Sequence, residues 1–145
     1  MEKLQFDSGI KEYKINGAGV LRFNPGDPNL YARFLEAGDK LLQVEKDMTA
    51  RASGLQPDSG SEMLVLLAEA DKQMKQVLNW VFGGGNDFDK ILGGVNLLAV
   101  ANNGERVVTN LLNALQPILM EGAERCAREK VDEAVTKARQ RREAL

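Results

Sequence analysis

The sequence predicts a mainly α protein: an N-terminal β-hairpin packed on a small helical bundle, with a long C-terminal helix. Three observations carry that expectation. Asn16-Gly17 separates two short runs rich in apolar residues, and Asn-Gly is the strongest short hairpin signal because both residues tolerate positive φ. Two segments, Leu30 to Met48 and Met63 to Val81, repeat apolar residues at helical spacing. From about residue 105 onward the spacing stays helical, and the composition then turns helix-favouring but strongly charged.

Residues 10–15 and 20–23 are the expected strands. Ile10, Tyr13 and Ile15 face Val20, Leu21 and Phe23 across Asn16-Gly17-Ala18-Gly19. A lone hairpin is marginal in water, so its apolar face must lie on a helix or on another subunit. Asn24-Pro25-Gly26 then turns the chain. Asp27 is a good N-cap, and Pro28 at the first helical position loses no hydrogen bond. Leu30, Phe34, Ala37, Leu41, Val44 and Met48 form one stripe, read as intramolecular core. Gly38 interrupts it and suits a bend or a close helix contact.

Residues 52–60 form a loop by composition, and Ser59 with Glu62 fits a capping box for a second helix over about 60–82. Its core face carries Met63, Leu66, Leu67, Ala70, Met74, Val77, Leu78 and Val81. Asp71 and Lys75 stand at i,i+4 on the polar face, a pair worth a few tenths of a kcal/mol there. Two long helices joined by a loop pair antiparallel by default. Glycines bracket a short helical turn at 86–92, with Asn86 and Asp87 as caps. Residues 95–101 are apolar enough for burial as helix or strand. A helix is favoured because no strand partner is near.

The final helix contains Pro117, which should kink it or end it one residue earlier. Residues 121–145 hold seven basic and six acidic side chains around a thin line of Ala123, Ala127, Val131, Ala134, Val135 and Ala138. The expected organisation is a hairpin-plus-helical domain over 1–120 and a charged helical arm over 121–145. That arm protrudes or frays until a partner orders it.

The bulk numbers narrow the function. The chain has 145 residues, 43% hydrophobic and 28% charged, enough for one domain with a real core. A net charge of −2 provides no bulk attraction to nucleic acid or to an anionic membrane. Met1–Asp7 lacks a signal-peptide core, and no apolar run reaches the roughly 18 residues that a membrane span needs. The single cysteine, Cys126, cannot form an internal disulfide, which suits a reducing cytoplasm. Histidine is absent, which removes the commonest general base near neutral pH and the commonest metal ligand.

The motifs that suggest chemistry have simpler structural readings. Gly83-Gly84-Gly85-Asn86-Asp87 follows a helix rather than a strand and lacks a Gly-Lys-Ser/Thr continuation, so it reads as a connector. Asp87 and Asp89 resemble the start of a calcium loop, without its glycine or terminal glutamate. The remaining acids are scattered over polar helix faces, and Cys126 has no histidine to activate it. Lys137, Arg139, Arg141 and Arg142 sit at a helix C-terminus, where the macrodipole favours cations. Trp80 and Phe82 are expected to cap the core, and exposure there would instead mark a binding surface. No catalytic, cofactor-binding or metal residues are assigned, and the chain is read as a non-enzyme.

The run Tyr13-Lys14-Ile15-Asn16-Gly17, with Arg22-Phe23-Asn24-Pro25-Gly26-Asp27-Pro28-Asn29 and Arg33-Phe34, resembles the opening of small tail-region proteins of long-tailed bacteriophages and prophages of Gram-positive bacteria. That group includes tail assembly chaperones. Val81-Phe82-Gly83 and Gly94-Val95-Asn96 are similar to the same group. The resemblance implies binding to the tape-measure protein during tail morphogenesis, recruitment of tail-tube protein, self-association, and action in the host cytoplasm. The alternative role is a tail completion or connector component retained in the virion. The partner surface is expected on the arm at Arg125, Arg128, Val131, Val135, Lys137 and Arg139.

Overall fold

A computed structural model describes residues 1–144. The element order is β1 (Lys11–Ile15), β2 (Gly19–Phe23), α1 (Pro28–Ala52), α2 (Gly60–Phe82), α3 (Phe88–Ile91) and α4 (Val107–Ala144). The fold is mainly helical, with the expected hairpin at its N-terminal end. β1 and β2 pair antiparallel with Tyr13 opposite Leu21 and Glu12 opposite Arg22. Asn16 and Gly17 both take positive φ, and the Ala18 N–H closes the turn onto the Ile15 carbonyl at 3.0 Å.

Leu21 and Phe23 are buried, and Tyr13 stacks on Phe23 with ring centroids 4.7 Å apart. Phe23 in turn meets Phe82 edge-on, and Phe82 touches Phe88. One chain of aromatic contacts therefore fastens the hairpin to the end of α2 and to α3. Ile10 and Val20, expected on this face, are exposed instead. Alternation places Val20 on the face opposite Leu21, and Ile10 precedes the paired residues.

Asp27 caps α1 by accepting from the Asn29 N–H at 3.0 Å, and Pro28 opens the helix. Leu30, Ala37 and Leu41 are buried, with Phe34, Val44 and Met48 packed against them. Gly38 has open space around it, so the close contact proposed there is not made. α2 runs back antiparallel along α1: Arg33 Nε donates to the Val81 carbonyl at 2.8 Å, and Arg51 pairs with Glu69 at 2.9 Å. The capping box at Ser59 does not form. The Ser59 side chain caps nothing, and its backbone (φ −91°, ψ 45°) lies outside the extended region that an N-cap normally uses.

The segment 95–106 is neither helix nor strand. It is a loop tied at both sides, with an isolated bridge between Val100 and Arg106. Leu97 and Leu98 are buried in the core, while Val95 and Val100 are exposed. The loop supplies what the start of α4 lacks. The Val107 and Val108 N–H groups donate to the Ala99 and Leu97 carbonyls at 2.9 and 2.8 Å, satisfying donors that a helix N-terminus otherwise leaves open.

α4 continues through Pro117 rather than ending before it. Its first half buries Leu115, Leu119 and Gly122. Gly122 marks the last close approach, since a Cβ there would collide with the backbone of Pro25. Gly19 has the same role at the hairpin, where a Cβ would meet the Ile91 backbone.

Candidate functional site

Past Gly122 the helix leaves the body. From Ala127 to Ala144 every residue is exposed, about 27 Å of helix at 1.5 Å per residue. This exposed stretch lies within the 121–145 arm expected from sequence, and Leu145 lies outside the described residues. No helix among the described residues is long and apolar enough to cross a membrane.

The predicted partner residues lie on this arm and do not form one cluster. At about 100° per residue, Arg125, Arg128, Val131, Val135 and Arg139 fall within one sector of about 120°, and Lys137 stands on the opposite side. Val131 is 61% exposed and Val135 44%. Arg125 Nη2 pairs with Glu121 at 2.9 Å. Lys130 and Lys137 both reach Glu133, at 3.2 and 3.4 Å, and they hold its carboxyl below the usual glutamate range, Lys130 more strongly.

The periodicity of the arm changes where the body ends. Leu115, Leu119 and Gly122 define the stripe of α4 that packs inward. Ala127, Val131, Ala134 and Ala138, spaced four, three and four, lie roughly 120° away from that stripe on the helix circumference. The apolar line of the arm therefore does not extend the core contact. It is a separate seam, nearly two heptads long, aimed away from the body. Arg128, Lys130, Lys137 and Arg142 stand at its flanks.

A second feature departs from the polar-face pair that the sequence predicts at Asp71 and Lys75. Lys75 is 4% exposed and is not on a solvated face. Its Nζ lies 2.8 Å from Asp71 Oδ2 and 2.6 Å from Asp89 Oδ1. Burial disfavours the Lys75 ammonium, but the bonds to Asp71 and Asp89 outweigh it and leave the pKa above the ordinary lysine value. The bond from Lys75 holds the Asp89 carboxyl below its ordinary range. Asp71 Oδ1 also accepts the Leu97 N–H at 2.7 Å, so one carboxylate joins α2 to the 95–106 loop while Lys75 joins α2 to α3. A depression of about 300 Å³ lies beside them, lined in part by Lys72, Gln76, Asn79 and Asp87. Every charge in the trio has a protein partner, so the cluster works as a polar lock between elements. Among the described residues, no group of three or more His, Cys, Asp or Glu is placed to hold a metal ion.

The glycine-rich connector is also explained by packing. Asp87 caps α3 by accepting from the Asp89 N–H at 3.1 Å. Asn86 is not a cap. Its side-chain amide accepts from the Arg22 N–H at 3.0 Å and donates to the Arg22 carbonyl at 2.8 Å, pairing with β2 as a neighbouring strand does. Trp80 is 42% exposed, with Lys40 Nζ 4.5 Å above its ring, while Phe82 is buried as expected. Trp80 sits on helix surface rather than capping the core. Cys126 is half-buried near the exit of the arm.

Comparison with protein-family models, with curated proteins and with solved structures returned no match.

Proposed function

We propose that this chain is a non-enzymatic assembly chaperone that binds a long helical partner through the distal half of α4. The observation that carries the reading is the Ala127-Val131-Ala134-Ala138 seam, exposed and turned away from the body. Small residues at this spacing let a second helix approach closely, and an amphipathic helix laid along such a line is a recurring recognition mode. Arg128, Lys130, Lys137 and Arg142 flank the seam, so a partner helix with acidic flanks complements it and a second copy of the same seam repels it. The resemblance of Tyr13–Phe34 to phage tail proteins makes the tape-measure protein the first partner, with tail-tube protein the second and the host cytoplasm the setting.

Co-expression with the tape-measure protein of a long-tailed bacteriophage of Gram-positive bacteria tests the reading. The expected result is a soluble complex that Val131→Asp with Val135→Asp dissociates while the monomer fold stays intact by circular dichroism. Failure of the wild-type chain to solubilise or co-purify with that protein overturns it. Mass spectrometry of purified virions separates the alternative role, because a chaperone is missing from the particle and a connector component is present.

A further inference from the structure

The two edges of the hairpin are treated differently by the rest of the chain. The outer edge of β2 is occupied: Asn86 satisfies both the N–H and the carbonyl of Arg22, and Gly19 abuts the Ile91 backbone. The outer edge of β1 is open. The sheet has two strands, and among the described residues no hydrogen bond from outside the hairpin reaches Lys11–Ile15. Half of a strand's backbone groups point away from its partner, so this edge is a template for another strand.

The charges on that edge select its occupant. β1 reads Lys11-Glu12-Tyr13-Lys14-Ile15. Antiparallel pairing with a second copy, centred on Tyr13, sets Glu12 of each chain opposite Lys14 of the other. Moving the register by one or two residues loses this match. Pairing centred on Glu12 or on Lys14 sets like charges opposite each other, and a one-residue shift sets inward-bonding residues opposite outward-bonding ones, so the ladder cannot form. In the Tyr13 register the exposed face carries the row Arg22, Glu12, Lys14 of the second copy, extending the Glu12–Arg22 ion pair at 3.4 Å already present within one chain.

We infer that β1 is a homodimerisation edge, pairing antiparallel with β1 of a second copy about Tyr13 to form a four-stranded sheet. A two-fold axis through Tyr13 makes the contact self-complementary, as a closed dimer requires. The pairing also directs residues 1–8 of each chain past the partner's 16–18 turn. Leu4 and Phe6, 88% and 79% exposed in the single chain, thereby gain a surface to contact. This interface uses the hairpin and is independent of the α4 seam.

Charge reversal in trans is the test. Light scattering during size exclusion should give the wild-type protein twice the chain mass at micromolar concentrations. Glu12→Lys alone gives an edge with only basic charges at 12 and 14, and Lys14→Glu alone gives only acidic ones. Each variant should weaken self-association by roughly tenfold or more. Mixed in equal amounts, the two bring a basic edge against an acidic one, so opposite charges again face each other at both 12-to-14 contacts and the heterodimer should form. A monomeric wild type, single variants that dimerise like wild type, or a mixture no tighter than its components each overturns the inference. If either variant fails to fold, carbodiimide coupling of ¹⁴N- and ¹⁵N-labelled wild-type protein decides instead. A Glu12–Lys14 cross-link between labels supports the interface, and its absence refutes it.

Discussion

Replacing Lys75 with methionine removes a buried ammonium while keeping most of its aliphatic stem. In the wild type the Lys75 and Asp71 side chains are only 5% and 14% exposed and pair at 2.8 Å. Removing one partner from a fully buried ion pair costs about 3–5 kcal/mol, because the remaining charge is stranded. Asp71 keeps the Leu97 N–H bond and a little solvent contact, so the loss here should be about 2–3 kcal/mol. The Asp89 leg adds little, since that carboxylate is 65% exposed. For a chain of this length the melting temperature should fall by roughly 6–10 °C. Urea unfolding followed by circular dichroism at neutral pH measures the change, with an unaltered m-value showing that cooperativity is intact. Adding Asp71→Asn to the variant removes the stranded charge and should recover about half of the loss. A loss below about 0.5 kcal/mol, the size expected of an ordinary surface i,i+4 pair, would refute the reasoning. So would a double variant that loses as much as both single variants together.

Two glycines on helices should respond in opposite directions to the same change. Gly122→Ala forces a Cβ into the Pro25 backbone and should destabilise by about 1–3 kcal/mol despite its better helix propensity. Gly38→Ala enters open space and should stabilise by about 0.5–1 kcal/mol in the same urea assay. The caps give a second contrast: Asp27→Ala loses a bond to the Asn29 N–H and should cost about 1 kcal/mol. Ser59→Ala loses no cap bond and should stay within about 0.5 kcal/mol of wild type. The Lys75 cluster also predicts the pH dependence of stability. The pKa of Asp89 is lowered from 3.8, so its contribution is full above that value and is lost as pH falls through the lower folded-state pKa. That of Lys75 is raised from 10.5, so its contribution is full below that value and is lost as pH rises through the higher folded-state pKa. Urea midpoints measured at both extremes should fall less in Asp89→Asn at the acid end and less in Lys75→Met at the alkaline end.

Local chemistry was legible because it depends on neighbours in sequence. Asn16-Gly17 could be read as a turn from backbone sterics alone, Asp27-Pro28 as a helix start, and Leu30 to Met48 and Met63 to Val81 as buried stripes from their period. The exposed arm was legible too, since a segment with so thin an apolar line has little to bury. What escaped were the features that depend on distant parts of the chain. Asp71 and Lys75 have the spacing of a surface pair, and only the approach of α3 and the 95–106 loop makes them a buried lock in low dielectric. Asn86 looked like a cap until β2 came within reach of its amide. Residues 95–101 are apolar enough for a helix, but their backbone is committed to opening α4.

The hairpin, the helix starts and the binary pattern of α1 and α2 were therefore determined by the sequence by itself, because φ preferences, capping groups and apolar period act over a few residues. Tertiary structure alone decided which charges are buried, which glycines are indispensable, that Trp80 is exposed, and that the apolar line of the arm points away from the core. Burial, local dielectric and the satisfaction of backbone donors are set by elements far apart in the chain, and no short window of sequence contains them.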